Sequence, residues 1–275
     1  MRKRIRMVQR WFLFLIVWLL IMIAARGRDI SGKREYHLLD GTELAVPVYV
    51  NQASEEGSVI YIVSGIHGNE PAGWKAAENW RNRHLDAGTL YMAGPVNIWG
   101  AAQNERCTKE TRDINRNFPG DADGWDAERI ADAVYQDIAK IQPDLVLDLH
   151  EAEEKKGRDI LADSLICESL EETGELILTM LEESGKEESS LPKLTLYGSP
   201  PPGSINRVVT ETLGIPVITL ETDRSEKLET RIYKQNSILE YILKSYGILK
   251  KSQNEGGKTA YMNGENKHPG SPGVC

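Results

Sequence analysis

The sequence predicts an α/β fold in which a mixed, mostly parallel central sheet carries helices on both faces. Apolar runs of strand length alternate with segments of helical periodicity, an arrangement typical of such sheets. The central runs, such as VIYIV at 59–63, are rich in valine, isoleucine and leucine and suit burial on both faces. With 275 residues, 40% hydrophobic and 27% charged, the chain can form one sizeable globular domain.

The first half of the chain contains four predicted strands and one helix. Residues 36–50 read as two strands around Asp40-Gly41, which is a signal for a hairpin turn. Buried strands follow at Val59–Ser64 and Thr89–Ala93. Between them a helix begins at Pro71, because proline suits a first helical turn, and runs to about residue 83.

A long polar loop is predicted over residues 94–124, and loops of about 30 residues are usually functional or disordered. Because it carries a dense motif, we expect it to be functional. The remaining predicted helices lie at Asp126–Ile141, 168–184, 204–213 and 229–246, and the remaining buried strands at 145–149 and 216–220.

The sequence divides into four predicted regions. Residues 1–28 are predicted to form a signal peptide or N-terminal membrane anchor, 29–35 a linker, 36–246 the main globular domain and 247–275 a disordered tail. The tail is assigned to disorder because it is rich in glycine, asparagine, lysine and proline and has no periodicity.

The N-terminal region predicts export. A cluster of basic residues precedes the apolar run WFLFLIVWLLIMIAA at 11–25. As a helix this run would span about 22 Å, less than the ~30 Å hydrocarbon core, which suits a signal peptide or a short anchor. We therefore expect a membrane protein whose main domain lies outside the cytoplasm, or a secreted protein if the segment is cleaved.

Charge and cysteine content limit the classes of partner. A net charge of −8 argues against nucleic acid, whose phosphates require a basic surface. Cys107, Cys167 and Cys275 fit no metal spacing and are expected to be mostly free thiols. A Cys107–Cys167 disulfide remains open for an exported chain.

Three residues with acidic or imidazole side chains stand at predicted strand ends. His67 follows the strand Val59–Ser64, Glu70 comes three residues later, and His150 ends the run DLVLDLH. Two imidazoles and one carboxylate form a three-ligand zinc site with a fourth position for water, as in catalytic zinc sites. Glu221 ends the apolar run VITLE, and beside zinc it would act as a general base.

The long loop contains the segment DINRNFP, which begins at Asp113 and follows Arg106 and Arg112. A guanidinium group matches a carboxylate and stabilises a developing oxyanion. The loop therefore suits a substrate with a free carboxylate. Asp148 lies on the same strand face as His150, and it either has a structural role or helps to order the site.

These motifs occur in the order seen in the zinc carboxypeptidase superfamily, which the chain resembles over about residues 59–224. The superfamily includes the succinylglutamate desuccinylase/aspartoacylase branch. The resemblance implies a zinc carboxypeptidase-like fold and one zinc ion held by His67, Glu70 and His150. It also implies that Glu221 is the general base and acid.

The resemblance extends to the residues of the long loop. It implies that Asn115 and Arg116 hold the substrate carboxylate and that Asp113 orients the first histidine ligand. For the arginine that stabilises the oxyanion, Arg106 is the better match, nine residues before Asn115. Arg112 is the alternative.

Two further segments bear on the branch. The segment 197–206 (YGSPPPGSIN) resembles the carboxypeptidase loop, in which a tyrosine closes over the substrate. Tyr197 would be this tyrosine, and Ile205 would lie near the side-chain pocket. The GPVN stretch at 94–97 instead resembles the desuccinylase/aspartoacylase branch, whose members usually carry a C-terminal domain that the residues after Arg224 do not match.

From these features we predict a zinc-dependent hydrolase that cleaves an amide next to a free carboxylate. The favoured form is a metallocarboxypeptidase acting on extracytoplasmic peptides. The alternative on the same site is an N-acyl-amino-acid deacylase. A third hypothesis, of another class, is a non-catalytic binding module anchored at the membrane.

Overall fold

The computed structural model describes residues 32–152 and 162–250. Within these ranges eight strands form one sheet, in the order β1-β2-β4-β3-β5-β8-β6-β7. The strands are β1 Gly32–Leu38, β2 Val46–Gln52, β3 Val59–Ser64, β4 Thr89–Ala93, β5 Leu145–Ala152, β6 Ser164–Ile166, β7 Thr195–Tyr197 and β8 Val217–Asp223. The helices are α1 Pro71–Glu78, α2 Ile98–Gln103, α3 Asp126–Ile141, α4 Gly174–Ser184, α5 Ile205–Leu213 and α6 Leu228–Ser245, with a short 3-10 helix at Ile114–Arg116.

The centre of the sheet is parallel and its edges are mixed, which confirms the predicted fold class. Strands β4, β3, β5 and β8 run parallel, whereas β1 and β2 add an antiparallel hairpin at one edge. At the other edge β6 is antiparallel to β8 and parallel to β7. The carboxyl ends of the four central strands therefore meet at one end of the sheet.

Helices cover both faces, as predicted. Buried side chains of α1, α4 and α6 pack with Leu145, Leu147 and Leu149 in one apolar core. Those of α3 and α5 pack with Val146 and Val63 in a second core on the other face. Each central strand is thus buried on both faces, which explains its nearly unbroken apolar sequence.

The hairpin edge fixes where the described chain enters the sheet. Gly32 lies opposite Gln52, and Gln52 lies opposite Thr89, the first residue of β4. The start of β1 therefore lies at the amino ends of the parallel strands, and β1 includes residues 32–35 of the predicted linker.

Several element boundaries differ from the prediction. α1 ends at Glu78 rather than near residue 83. In the turn that follows, the side-chain amide of Asn51 donates to the carbonyls of Trp80 and Arg83. α4 begins at Gly174 rather than at 168, and the predicted loop contains α2 and the 3-10 helix. Strands β6 and β7 were not predicted, since three residues are too few to reveal a period of two.

The carboxyl end of the domain extends past the predicted boundary at 246. Ile248 and Leu249 are buried in the core on the side of α6, and the backbone N–H of Asp86 donates to the carbonyl of Ile248. Cys107 and Cys167 are free thiols. Cys275 and the predicted tail beyond Lys250 lie outside the described residues.

Across residues 32–152 and 162–250, the helices are all too short or too polar to cross a membrane. The predicted signal peptide or anchor at 1–28 lies outside the described residues.

A buried acid links α3 to the sheet. Asp137 accepts hydrogen bonds from the hydroxyls of Tyr36 (2.6 Å) and Tyr61 (2.8 Å) through one carboxylate oxygen. Tyr61 is fully buried on β3 and Tyr36 lies on β1, so the contact joins the helix to two strands.

Replacing Asp137 with leucine should therefore destabilise the fold. Both hydroxyls would lose their acceptor, and the Tyr61 hydroxyl would be left buried without it, at a cost of about 1–3 kcal/mol. Urea unfolding would measure the change. Asp132→Asn on the same helix is the control and should change stability by less than about 0.5 kcal/mol. Equal stability of the two variants would contradict the assigned role.

Candidate active site

The polypeptide turns sharply between β3 and the first histidine, and two glycines make that turn possible. Gly65 has a φ of +68°, and a Cβ there would lie 2.8 Å from the Trp74 ring. A Cβ on Gly68 would lie 2.0 Å from the backbone of Gly100 in α2. Only glycine fits either position, so the backbone can bring His67 back over the end of the sheet.

His67, Glu70 and His150 converge as the sequence predicts. The Nδ1 atoms of both histidines lie 2.8 Å from the Glu70 carboxylate, one at each oxygen. The three ligand atoms all lie within 4.8 Å of one another, and all three residues are buried. Glu70 directly precedes the helix α1, and His150 lies on β5, so the cluster joins this helix to a central strand of the sheet.

The outer nitrogens of both imidazoles face carboxylates. His67 Nε2 lies 3.1 Å from Asp113 Oδ1, and His150 Nε2 lies 3.0 Å from Asp148 Oδ1. Asp113 is hydrogen-bonded to the first ring and Asp148 lies at ion-pair distance from the second, a placement that suits orienting each ring with Nδ1 toward Glu70. The position of Asp148 therefore favours an ordering role, an alternative that the sequence left open.

The electrostatics of the cluster favour bound cations. Although burial opposes the shift, the imidazoles of His67 and His150 hold the pKa of Glu70 well below its usual value. Burial lowers the pKa of His150, but the carboxylates of Asp148 and Glu70 outweigh it and hold that pKa well above its usual value. A positive charge is thus stabilised at this point, and a metal ion would replace the proton there.

The donor set fits zinc. Two neutral imidazole nitrogens and one carboxylate are zinc ligands, and three of them leave one tetrahedral position open. Among the described residues, His67 Nδ1 is buried without a well-directed hydrogen bond even though Glu70 lies beside it. A short distance between the His67 Nδ1 atom and the Glu70 carboxylate without a hydrogen bond is what two ligands of one ion would show.

Arg106 and Arg112 occupy different surroundings. Arg106 donates to Glu70 Oε1 (3.3 Å) and to Asp113 Oδ2 (3.1 Å), and it lines the cavity above the cluster. The Arg112 guanidinium stacks over the ring of Trp125 at 4.8 Å. Of these two arginines, only Arg106 is therefore in contact with a predicted metal ligand.

The DINR segment forms a short 3-10 helix that Asp113 caps by accepting from the N–H of Asn115 at 2.9 Å. Asn115 is buried; its Oδ1 accepts from the N–H of Ile205, and its Nδ2 lies 3.2 Å from His150 Nε2. Arg116 is exposed and lines the cavity. Gly203 packs against the Arg116 backbone, where a Cβ would lie 2.4 Å from the carbonyl oxygen.

The cluster opens into a cavity of about 530 Å³. Its walls carry three arginines, Arg106, Arg116 and Arg224, together with Tyr197 and the proline-rich segment that follows it. Such a volume accommodates a small substrate, and the arginines suit an anionic one.

Ile205 does not line this cavity, contrary to the expectation that it lies near the substrate side chain. It is fully buried in the second core, and only its backbone N–H reaches the site, through Asn115. The first turn of α5 directs its apolar side chain toward α3 and the sheet. Its neighbours Ser204 and Asn206 line the cavity instead.

Glu221 stands beside His150 on the neighbouring strand, since the two residues pair in the parallel register of β5 and β8. It lines the cavity, and its Oε2 atom is buried without a hydrogen-bond partner among the described residues. Burial raises the pKa of Glu221 to about 8, while nearby His150 opposes the shift. A buried carboxylate with one oxygen free of hydrogen bonds is suited to exchange protons with a ligand.

Several residues of the site were not predicted from the sequence, and Arg224, Asn206 and Glu151 are the most informative of them. Arg224 follows the end of β8 and lines the cavity, next to Asn69. Asn206 supports the cavity floor by donating to the Ile166 carbonyl and to Thr219, each at 2.9 Å. Glu151 also lines the cavity. Of these residues, only Arg224 could have been suspected from the sequence, because it lies three residues after Glu221.

The catalytic-domain model of the succinylglutamate desuccinylase/aspartoacylase family matches residues 56–239. This match, with the ordered motifs, confirms the resemblance to the zinc carboxypeptidase superfamily. No curated protein matches the chain in sequence.

Solved structures share the fold at low identity. An aspartoacylase family protein from Mesorhizobium loti is 20% identical with a TM-score of 0.62, covering 82% of this chain and 70% of that chain. The ectoine utilization protein EutE from Ruegeria pomeroyi is 20% identical with a TM-score of 0.64, covering 83% and 70%. A protein provisionally described as a metallopeptidase, from Shewanella denitrificans, is 15% identical with a TM-score of 0.58, covering 85% and 91%.

The raised pKa of Glu221 predicts a pH-dependent effect of Glu221→Gln on the metal-free protein. Between its ordinary value of 4.5 and about 8 the folded state keeps this proton while the unfolded state loses it, so stability falls as the pH rises. Glutamine cannot ionise, so the variant should gain melting temperature over the wild type at about pH 8 relative to about pH 5. Thermal unfolding in EDTA would measure this.

The exposed Glu229→Gln is the matched control and should track the wild type at both pH values. An identical difference between Glu221→Gln and the wild type at both values would contradict the burial of this carboxylate.

Proposed function

The chain belongs to the succinylglutamate desuccinylase/aspartoacylase family and is a hydrolase, and from this premise we propose that it hydrolyses the amide bond of N-acyl amino acids with one bound zinc ion. The observation that carries the proposal is the convergence of His67, Glu70 and His150 in one cavity with Glu221 and an exposed arginine. In an N-acyl amino acid the amide lies one carbon from a free carboxylate. The cavity offers the metal ligands and Glu221 for the amide and an exposed arginine for the carboxylate.

The residues divide the chemistry among them. Zinc held by His67, Glu70 and His150 would lower the pKa of a water molecule and polarise the amide carbonyl. Glu221 faces the same cavity, and in our proposal its carboxylate accepts a proton from water and returns it to the departing nitrogen.

Arginines supply the positive charges. Arg106, which contacts Glu70 and Asp113, would stabilise the oxyanion that develops when the amide carbon becomes tetrahedral. Arg116, at the exposed end of the 3-10 helix, would pair with the substrate carboxylate, and Asn115 would assist it. Tyr197, which also lines the cavity, would close over the bound substrate.

A second candidate is a carboxypeptidase that acts on extracytoplasmic peptides. It is favoured by the apolar segment 11–25 with its basic flank, by the likeness of the segment 197–206 to the carboxypeptidase loop, and by the structural likeness to the metallopeptidase-like protein. The chemistry is the same, because a C-terminal residue also presents an amide next to a free carboxylate. We propose an exported location, anchored at the membrane or secreted, for either candidate.

The deciding experiment compares N-acyl amino acids with C-terminally free peptides that release the same amino acid. We expect hydrolysis of the N-acyl amino acid to be faster, to cease on chelation and to return with zinc. Glu221→Gln should retain the metal and lose about 10²–10⁴-fold in kcat.

Faster hydrolysis of the peptides would favour the carboxypeptidase. Full activity of Glu221→Gln, or less than about half an equivalent of zinc in the purified protein, would contradict the mechanism.

The two arginines of the long loop provide a matched pair of variants. Arg106→Ala should lower kcat by about 10²–10³-fold, since it removes a charge that acts on the developing oxyanion. Arg112→Ala should leave kcat nearly unchanged, because its guanidinium stacks on Trp125. Steady-state kinetics would measure both variants. If Arg112→Ala were the impaired one, Arg112 and not Arg106 would stabilise the oxyanion.

Recognition of the carboxylate predicts a different kinetic signature for Arg116. Arg116→Ala should raise KM about 10–100-fold with little change in kcat, because the lost ion pair acts equally on substrate and transition state. A substrate with a carboxamide in place of its carboxylate provides the control. Wild type and variant should hydrolyse that analogue equally, and a large difference between them would mean that Arg116 does not recognise the carboxylate.

A further inference from the structure

We propose that Glu151 is a positioning residue that holds the metal ligand Glu70 in place by capping the helix α1. The inference rests on the proposed zinc site and goes beyond the residues that contact the substrate there. Glu70 is both the residue before α1 and a predicted metal ligand, so its carboxylate cannot bind the metal and cap the helix at the same time.

The first turn of α1 lacks its usual cap. Glu70 occupies the N-cap position, but its side chain makes no capping hydrogen bond, because both oxygens face the imidazoles of His67 and His150. Pro71 follows at the first helical position and has no N–H. The N–H of Ala72 is therefore the first helical donor that requires an acceptor.

Glu151 supplies that acceptor from β5. Its Oε1 accepts a hydrogen bond from the N–H of Ala72, although the two residues are 79 positions apart. The negative charge lies at the amino end of α1, where the helix dipole favours it. The helix also approaches β5 closely here, since a Cβ on Gly73 would lie 3.0 Å from Leu149 Cβ.

The same residue contacts the ligand directly through its backbone. The N–H of Glu151 donates to Glu70 Oε2 at 3.1 Å, the oxygen that also faces His150 Nδ1. Glu151 thus holds Glu70 from two sides, through the ligand carboxylate and through the helix that follows it.

The helix α6 keeps Glu151 in this position. Arg231 forms an ion pair with Glu151 Oε2, and the Glu151 side chain is fully buried. One turn later Gln235 donates to the carbonyl of His150 at 2.9 Å. α6 therefore fixes the backbone of one metal ligand and the residue that positions another.

The experiment compares two double variants that both lack the ion pair. Glu151→Gln with Arg231→Met keeps an oxygen acceptor for Ala72 and leaves no buried charge. Glu151→Leu with Arg231→Met removes the acceptor. Chelator competition should give a zinc dissociation constant about 10–100-fold weaker for the leucine form than for the glutamine form, the usual effect of losing a contact behind a metal ligand.

Asp137→Leu is the stability control. It also removes a buried carboxylate, but from the opposite face of the sheet, so it should weaken the fold and leave the zinc dissociation constant unchanged. Equal zinc affinities for the two double variants would overturn the inference while the proposed function stands. A wild type that binds no zinc would overturn both.

Amide hydrogen exchange provides a test without variants. In the wild type loaded with zinc, the Ala72 amide should exchange as slowly as the amides in the middle of α1. An Ala72 amide that exchanges as fast as an uncapped first-turn amide would overturn the role of Glu151, even if the leucine form failed to fold.

Discussion

The buried carboxylate of Glu70, shared between two imidazoles, is the contact on which the rest of the site depends. An ionised acid without access to water is strongly unfavourable unless charges and donors surround it. Here His67, His150 and the backbone N–H of Glu151 meet that requirement. Each of these partners comes from the end of a parallel strand or the loop after it. The strands must therefore pair in the native register before the buried charge of Glu70 is stabilised.

The contacts around this acid form successive shells. Asp113 and Asp148 hold the outer nitrogens of the imidazoles, and Asp113 is itself held by Arg106. Asn115 connects the DINR segment to α5 through the N–H of Ile205. Residues from the long loop, the sheet and two helices thus depend on one another, which is why a segment that reads as irregular in sequence is ordered around the metal ligands.

Much of this arrangement follows from local sequence. Strands β3 and β4 and the helix α3 have the predicted bounds, because the strands are short apolar runs and the helix has a clear 3.6-residue period. The convergence of His67, His150 and Glu221 was predictable, since all three stand at the carboxyl ends of parallel strands.

What was missed depends on contacts between distant parts of the chain. The orientation of Ile205 is set by packing against α3, and the placement of Asn206 by partners on β6 and β8. The capping of α1 by Glu151 spans 79 positions, and no local pattern encodes it. Strand β6 exists because β8 offers it an edge, and β7 pairs in turn with β6; three residues alone have no strong preference for a strand.

The register of the hairpin edge has a consequence for access. Gly32 lies level with the amino ends of the parallel strands, and the catalytic mouth lies at their carboxyl ends, so the two are separated by the length of the sheet. The polypeptide that precedes Gly32 therefore joins the domain at the end of the sheet remote from the mouth. Attachment of the preceding polypeptide at the amino ends and entry of a ligand at the carboxyl ends are thus kept apart, so that neither obstructs the other.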